Sequence, residues 1–99
     1  MARLLDDEEI ARQLTALPGW VGDGAALHRD YELPDFLTAI RGVDEIAQLA
    51  EHMDHHPDID IRWRTLRITL STHSEGGTTQ LDVELAHQIH EVLARLGAT

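Results

Sequence analysis

The chain has no cysteine, no lysine, only three prolines, and just two tryptophans, one tyrosine and one phenylalanine. Without cysteine it has no disulfides, no thiolate zinc sites and no thiol nucleophile. Without lysine it cannot form a Schiff base through a side-chain amine, and it cannot complete a phosphate-binding P-loop. No apolar run approaches the roughly 18 residues needed to span a bilayer. Positive charge is scarce as well: 18 acidic residues face 8 arginines, for a formal net charge of −10. That balance argues against binding nucleic acid or an anionic membrane surface, both of which need a basic face. It fits a solvated, solubilising surface instead. The stretch Asp6-Asp7-Glu8-Glu9 turns acidic too early for a secretory signal, so the expected location is the cytoplasm. What the chain does have is 42% hydrophobic residues in 99 positions, enough for one domain (1–99) with a modest core, and seven histidines.

The pattern predicts helix, hairpin, helix, hairpin, helix. Asp6 or Asp7 caps a first helix with Ile10, Leu14 and Leu17 inward, and Pro18-Gly19 stops it. Trp20-Val21 and Ala26 to Leu33 form a hairpin around Gly22-Asp23-Gly24. Asp35 caps a long second helix that runs to about Met53, with Phe36, Ile40, Val43, Ala47 and Ala50 as its apolar stripe. Pro57 cannot continue that helix, so His55 and His56 fall where the chain leaves it. From Asp58 the period changes to two. Ile59, Ile61 and Trp63 alternate with polar residues, then Leu66, Ile68 and Leu70 do the same, giving a second hairpin that turns near Arg64-Thr65. A last helix starts at Thr78 or Thr79, buries Leu81, Leu85, Ile89, Val92, Leu93 and Leu96, and ends at Gly97. The fold class is α+β, with a four-stranded antiparallel sheet and three helices packed on one face (α-β-β-α-β-β-α).

The chemistry concentrates in Glu51, Asp54, His55, His56, Trp63, His73 and Asp82. Histidine exchanges protons near neutral pH, so three of them with nearby carboxylates suggest an acid–base site. Glu51 and His55 share a helix face, at a C-terminus whose dipole favours an imidazolium. Each residue alone also has a plain structural role: a surface acid, a turn residue, a helix-ending polar pair. Glu51, His55, His56 and His73 are acceptable zinc or iron ligands, but no His-Glu-x-x-His spacing accompanies them, and no metal is expected. Gly76-Gly77-Thr78-Thr79 reads as a turn and cap. His52 points to solvent, and His87 and His90 are expected on the surface of the last helix.

Taken together, Glu51-x3-His55-His56-Pro57-x5-Trp63-x9-His73-x8-Asp82 resembles the pterin-4a-carbinolamine dehydratase family. The run from Leu27 to Phe36 is similar to the family's strand leading into its long helix, and Thr69 to His73, Gly77-Thr78 and Asp82 to Ile89 resemble its closing portion. The likeness covers roughly Trp20 to Val92. It implies dehydration of 4a-hydroxytetrahydrobiopterin to quinonoid dihydrobiopterin and water, with no metal or other cofactor. That hydroxypterin is the spent cofactor of aromatic amino acid hydroxylases, so the implied setting is tetrahydrobiopterin recycling, and the implied assembly is a homodimer or homotetramer. In this reading His56 and His73 act as acid and base, and His55 completes the triad and positions the pterin. Glu51 and Asp54 orient or charge the imidazoles, while Trp63 and Asp82 shape the pocket. Members often carry a large aromatic at Gly42, and many carry tyrosine at Trp63. The alternative within the same fold is a non-catalytic protein partner, a coactivator or assembly factor. Outside it stands a metal-dependent hydrolase or carrier.

Overall fold

The computed structural model describes residues 2–99. Helix α1 spans Asp7–Leu14, and Asp6 caps it in a reciprocal box with Glu9. Arg3 pairs with Glu9 from outside and holds its carboxyl down to about 2. Strands β1 (Val21–Gly22) and β2 (Leu27–Glu32) form the first hairpin. Helix α2 covers Phe36–Met53 with Asp35 accepting from Thr38 N–H. Strands β3 (Asp58–Arg62) and β4 (Thr65–Leu70) follow, then helix α3 (Gln80–Arg95), capped by Thr79. The order is the expected one.

The sheet runs β1-β2-β4-β3, antiparallel throughout. Strand β4 is central, and its Leu66, Ile68 and Leu70 are fully buried. Leu27 and Tyr31 of β2 share that face and meet Leu85, Ile89 and Leu93 of α3 and Ile46 of α2 in one core. The opposite face is polar and open to water. There Arg67 of β4 lies opposite both Asp30 and Asp60, and it bonds Asp30 through two nitrogens at 3.0 and 3.2 Å. That fork holds the Asp30 carboxyl below its ordinary range.

Two expectations need correction. The buried stripe of α2 is Ala39, Gly42, Ile46 and Ala50, not the row through Phe36 and Ala47, both of which are exposed. The reason is close approach. A Cβ at Gly42 would stand 2.8 Å from Leu93 Cδ2 and 3.3 Å from Leu66 Cδ1, so the small residues mark the side where α2 presses on α3 and β4. Gly42 is therefore an interior packing position. The second hairpin also turns one residue early, at Trp63-Arg64. Trp63 takes φ 53 and leaves the strand's alternation; its ring is 71% exposed, with the Arg64 guanidinium 4.7 Å above it.

Candidate active site

The antiparallel register brings the two chemistry-bearing segments to one end of the sheet. Asp58 pairs with Thr69, so the residues just before β3 and just after β4 lie together. Before β3, α2 ends on Asp54 in the left-handed conformation (φ 50), and this turns His55 back so that its N–H reaches Ala50 O. After β4, Thr72 accepts backbone bonds from Glu75 and Gly76, closing the short 3₁₀ turn His73–Glu75. His73 thus lies on a turn rather than on a continued strand.

His55 is buried, and its Nε2 lies 2.6 Å from Asp82 Oδ1. Asp82 is fully enclosed at the third position of α3, where its carboxylate completes the capping box with Thr79. Its other oxygen receives Thr79 N–H at 2.9 Å and the Thr72 hydroxyl at 2.8 Å. Both oxygens of this buried carboxylate therefore have hydrogen-bonding partners. His56, by contrast, is exposed, with Nε2 at 2.5 Å from Glu51 Oε2. His73 directly follows Thr72 and presents its ring to solvent. Two imidazoles, each on its own carboxylate, therefore stand beside a third at the mouth of the sheet. At His55 and His56 a proton can be held without leaving its charge unpaired.

The loop carrying His73 is braced on both sides. Thr78 N–H donates to Gly24 O, Thr78 Oγ1–H to Asp23 O, and Leu5 N–H to Thr78 O. A Cβ at Gly77 would fall 2.3 Å from Gly24 O, so only glycine permits that approach.

Not every predicted residue joins this group. Asp54 is exposed, and its side chain makes no hydrogen bond among the described residues; the backbone conformation it adopts is its visible contribution. Trp63 stands at the other end of β3, roughly 16 Å along the strand from Asp58. Within one chain it does not line the histidine site, because the hairpin that carries it points away. Two surface hollows of about 570 and 560 Å³ lie elsewhere, one against Leu5 and Leu81, the other against His28 and Arg67 on the open sheet face. No group of three metal-binding side chains gathers among the described residues.

His90 was expected on the surface, and the structure places it otherwise. Its Nδ1 lies 2.9 Å from the hydroxyl of buried Tyr31, which receives Trp20 Nε1–H at 2.8 Å. Arg29 donates to Pro18 O, reaches His90 Nδ1 at 3.3 Å and covers the Tyr31 ring at 4.1 Å. Burial, then Arg29 and His87, lower the His90 pKa, and burial raises that of Tyr31. No spacing in the sequence signals this cluster, since Tyr31 and His90 meet only across the β2–α3 interface.

Comparison with known proteins places the chain. Residues 3–92 match the family model for pterin 4 alpha carbinolamine dehydratase. A Nocardia farcinica protein named "Putative pterin-4-alpha-carbinolamine dehydratase" is 52% identical over 90% of this chain and 94% of its own length. A protein of the same name from Roseiflexus castenholzii is 48% identical over 94% of this chain and all of its own. A crystal structure from Brucella melitensis, described as a transcriptional coactivator/pterin dehydratase, superposes with a TM-score of 0.87 at 34% identity, covering 92% of this chain and 99% of that one. The chain belongs to the pterin 4 alpha carbinolamine dehydratase family.

Proposed function

We propose that this protein is a dehydratase that converts 4a-hydroxytetrahydrobiopterin to quinonoid dihydrobiopterin and water in tetrahydrobiopterin recycling. The observation that carries the reading is the pair of imidazole–carboxylate bonds, His55–Asp82 and His56–Glu51, at one end of the sheet beside His73. The reaction breaks the C4a–O bond and forms C4a=N5. One group protonates the departing hydroxyl, another takes the proton from N5, and atoms balance with loss of water. Histidines meet both demands at neutral pH. His56 and His73 take the acid and base roles, with Glu51 steadying His56; His55, held by Asp82, positions the pterin. The test is turnover of 4a-hydroxytetrahydropterin by the purified protein, and absence of turnover sinks the proposal.

The protein also self-associates in this reading, as a dimer or tetramer. Supporting it, β3 is an edge strand with exposed polar backbone, and Phe36, Leu37, Ile61 and Trp63 expose apolar surface on α2 and around the second hairpin. Equilibrium sedimentation at micromolar concentration is expected to give a mass above 11.1 kDa. A cytoplasmic location fits a chain in which no described helix is long and apolar enough to cross a membrane. The name of the Brucella protein keeps a second reading, a protein-partner role, within reach of the same exposed residues.

A further inference from the structure

Asp82 has three polar neighbours: Thr79 N–H, the Thr72 hydroxyl and His55 Nε2. Thr79 N–H has no acceptor capacity and lies on Oδ2. A carboxylate only accepts, so the Thr72 hydroxyl commits its single proton to the same oxygen at 2.8 Å. The 2.7 Å contact between the Thr72 and Thr79 hydroxyls must then run from Thr79 to Thr72. Thr79 Oγ1 is left to accept Leu81 N–H at 3.2 Å. The protons point one way along the row, from Leu81 through Thr79 and Thr72 to Asp82, and each bond polarises the next. What remains for Asp82 Oδ1 is to accept from His55 Nε2.

We propose that Thr72 is a positioning residue: with Thr79 N–H it holds Asp82 Oδ2, so that Oδ1 faces His55, accepts from its Nε2–H and leaves Nδ1 as the atom offered to the pterin. His55 Nδ1 makes no hydrogen bond among the described residues. The enclosed side-chain polar atom that lacks a partner there is Arg64 Nε, so His55 Nδ1 must reach the surface. The identity of the substrate rests on the dehydratase reading; the tautomer does not.

Nitrogen-15 NMR of the imidazoles, at a pH well above the usual histidine range, reads the tautomer directly. The native protein is expected to show His55 protonated on Nε2. In Asp82→Asn the carbonyl oxygen stays with Thr79 N–H and Thr72, the amide turns to His55, and the tautomer reverses to Nδ1–H. Turnover should fall roughly 100- to 10,000-fold. Thr72→Val should keep the Nε2–H form, since the carboxylate still only accepts, but should free Oδ2 and lower kcat roughly 10-fold with KM little changed; Thr72→Ser should restore kcat, and native kcat in Thr72→Val overturns the role of Thr72. Should Thr72→Val fail to fold, Thr72→Ala takes its place with the same expectations, while Asp82→Asn tests the tautomer. Persistence of the Nε2–H form in Asp82→Asn overturns the proposal. Tautomer reversal in a protein that never turns over hydroxypterin supports it while sinking the dehydratase reading.

Discussion

At the end of the sheet where β3 begins, two imidazoles face carboxylates; on the flank between β2 and α3, His90 faces an arginine and a phenol. The residue type is the same, and the neighbour decides what it can do. A carboxylate compensates the charge an imidazole gains with a proton, whereas Arg29 opposes it. Exposure divides the regions too. His56 and His73 meet solvent, as proton exchange with a substrate requires, while Tyr31 and Trp20 are sealed in the core. In the proposed mechanism the first region changes protonation, whereas the surroundings of His90 oppose its charged form.

The comparison breaks first on activity. His56→Ala and His73→Ala are each expected to lose roughly 100- to 10,000-fold in turnover, the usual range for one acid or base. The double variant should lose less than the product of the singles, because groups acting as a unit are not additive. Steady-state kinetics with folding checked by circular dichroism decides it, and near-normal turnover in both single variants would end the mechanism.

The second break is in stability. Tyr31→Phe leaves the Trp20 N–H without its partner inside the core, at a cost of about 1–3 kcal/mol in urea unfolding, while turnover per folded molecule stays near native. Unchanged stability would show the cluster to be incidental.

The pH dependence sharpens the contrast further. The His90 pKa is lowered on folding, so the unfolded chain binds a proton more readily than the native one. Stability is fully present above the unfolded value of about 6.5 and is lost as pH falls through the folded one. The carboxylates lowered by their partners, Glu9, Asp30 and Asp35, act only below the ordinary carboxylate range, a separate window. His90→Gln should remove the upper part of the acid loss; the same slope between pH 7 and 5 in that variant would contradict the assignment.

The smallest expected effect is none at all. Exhaustive chelation should leave turnover unchanged, since the proposed steps need only proton transfer. Activity that vanishes with chelator and returns with one metal would reassign the histidines as ligands.

Much of this was readable from the chain. Asp35 and Thr79 announce their helices, Pro57 ends the approach to His56, and period-two alternation marks β3 and β4, because each signal acts within a few residues. The stripe of α2 was misread because bulk was taken as the sign of burial. Gly42 and Ala39 are inward through being small, which only the facing Leu93 and Leu66 reveal. Trp63 carries strand propensity yet sits at a turn, its local preference overridden by the hairpin. The His55–Asp82 bond joins residues on separate elements, and spacing alone could not pair them; the resemblance put both in one motif. The Tyr31–His90 bond had no motif to betray it.

Gly77 carries one more consequence, for how freely this sequence can drift. Its backbone lies so close to Gly24 O that any larger residue must move either the turn of the first hairpin or the loop bearing His73. A change of a single methyl there is a change of the distance between His73 and its fellow histidines, made at a position that touches no substrate. Random libraries built around the histidines alone would overlook it. A search for variants with altered turnover should include Gly77, where the alphabet is nearly reduced to a single letter.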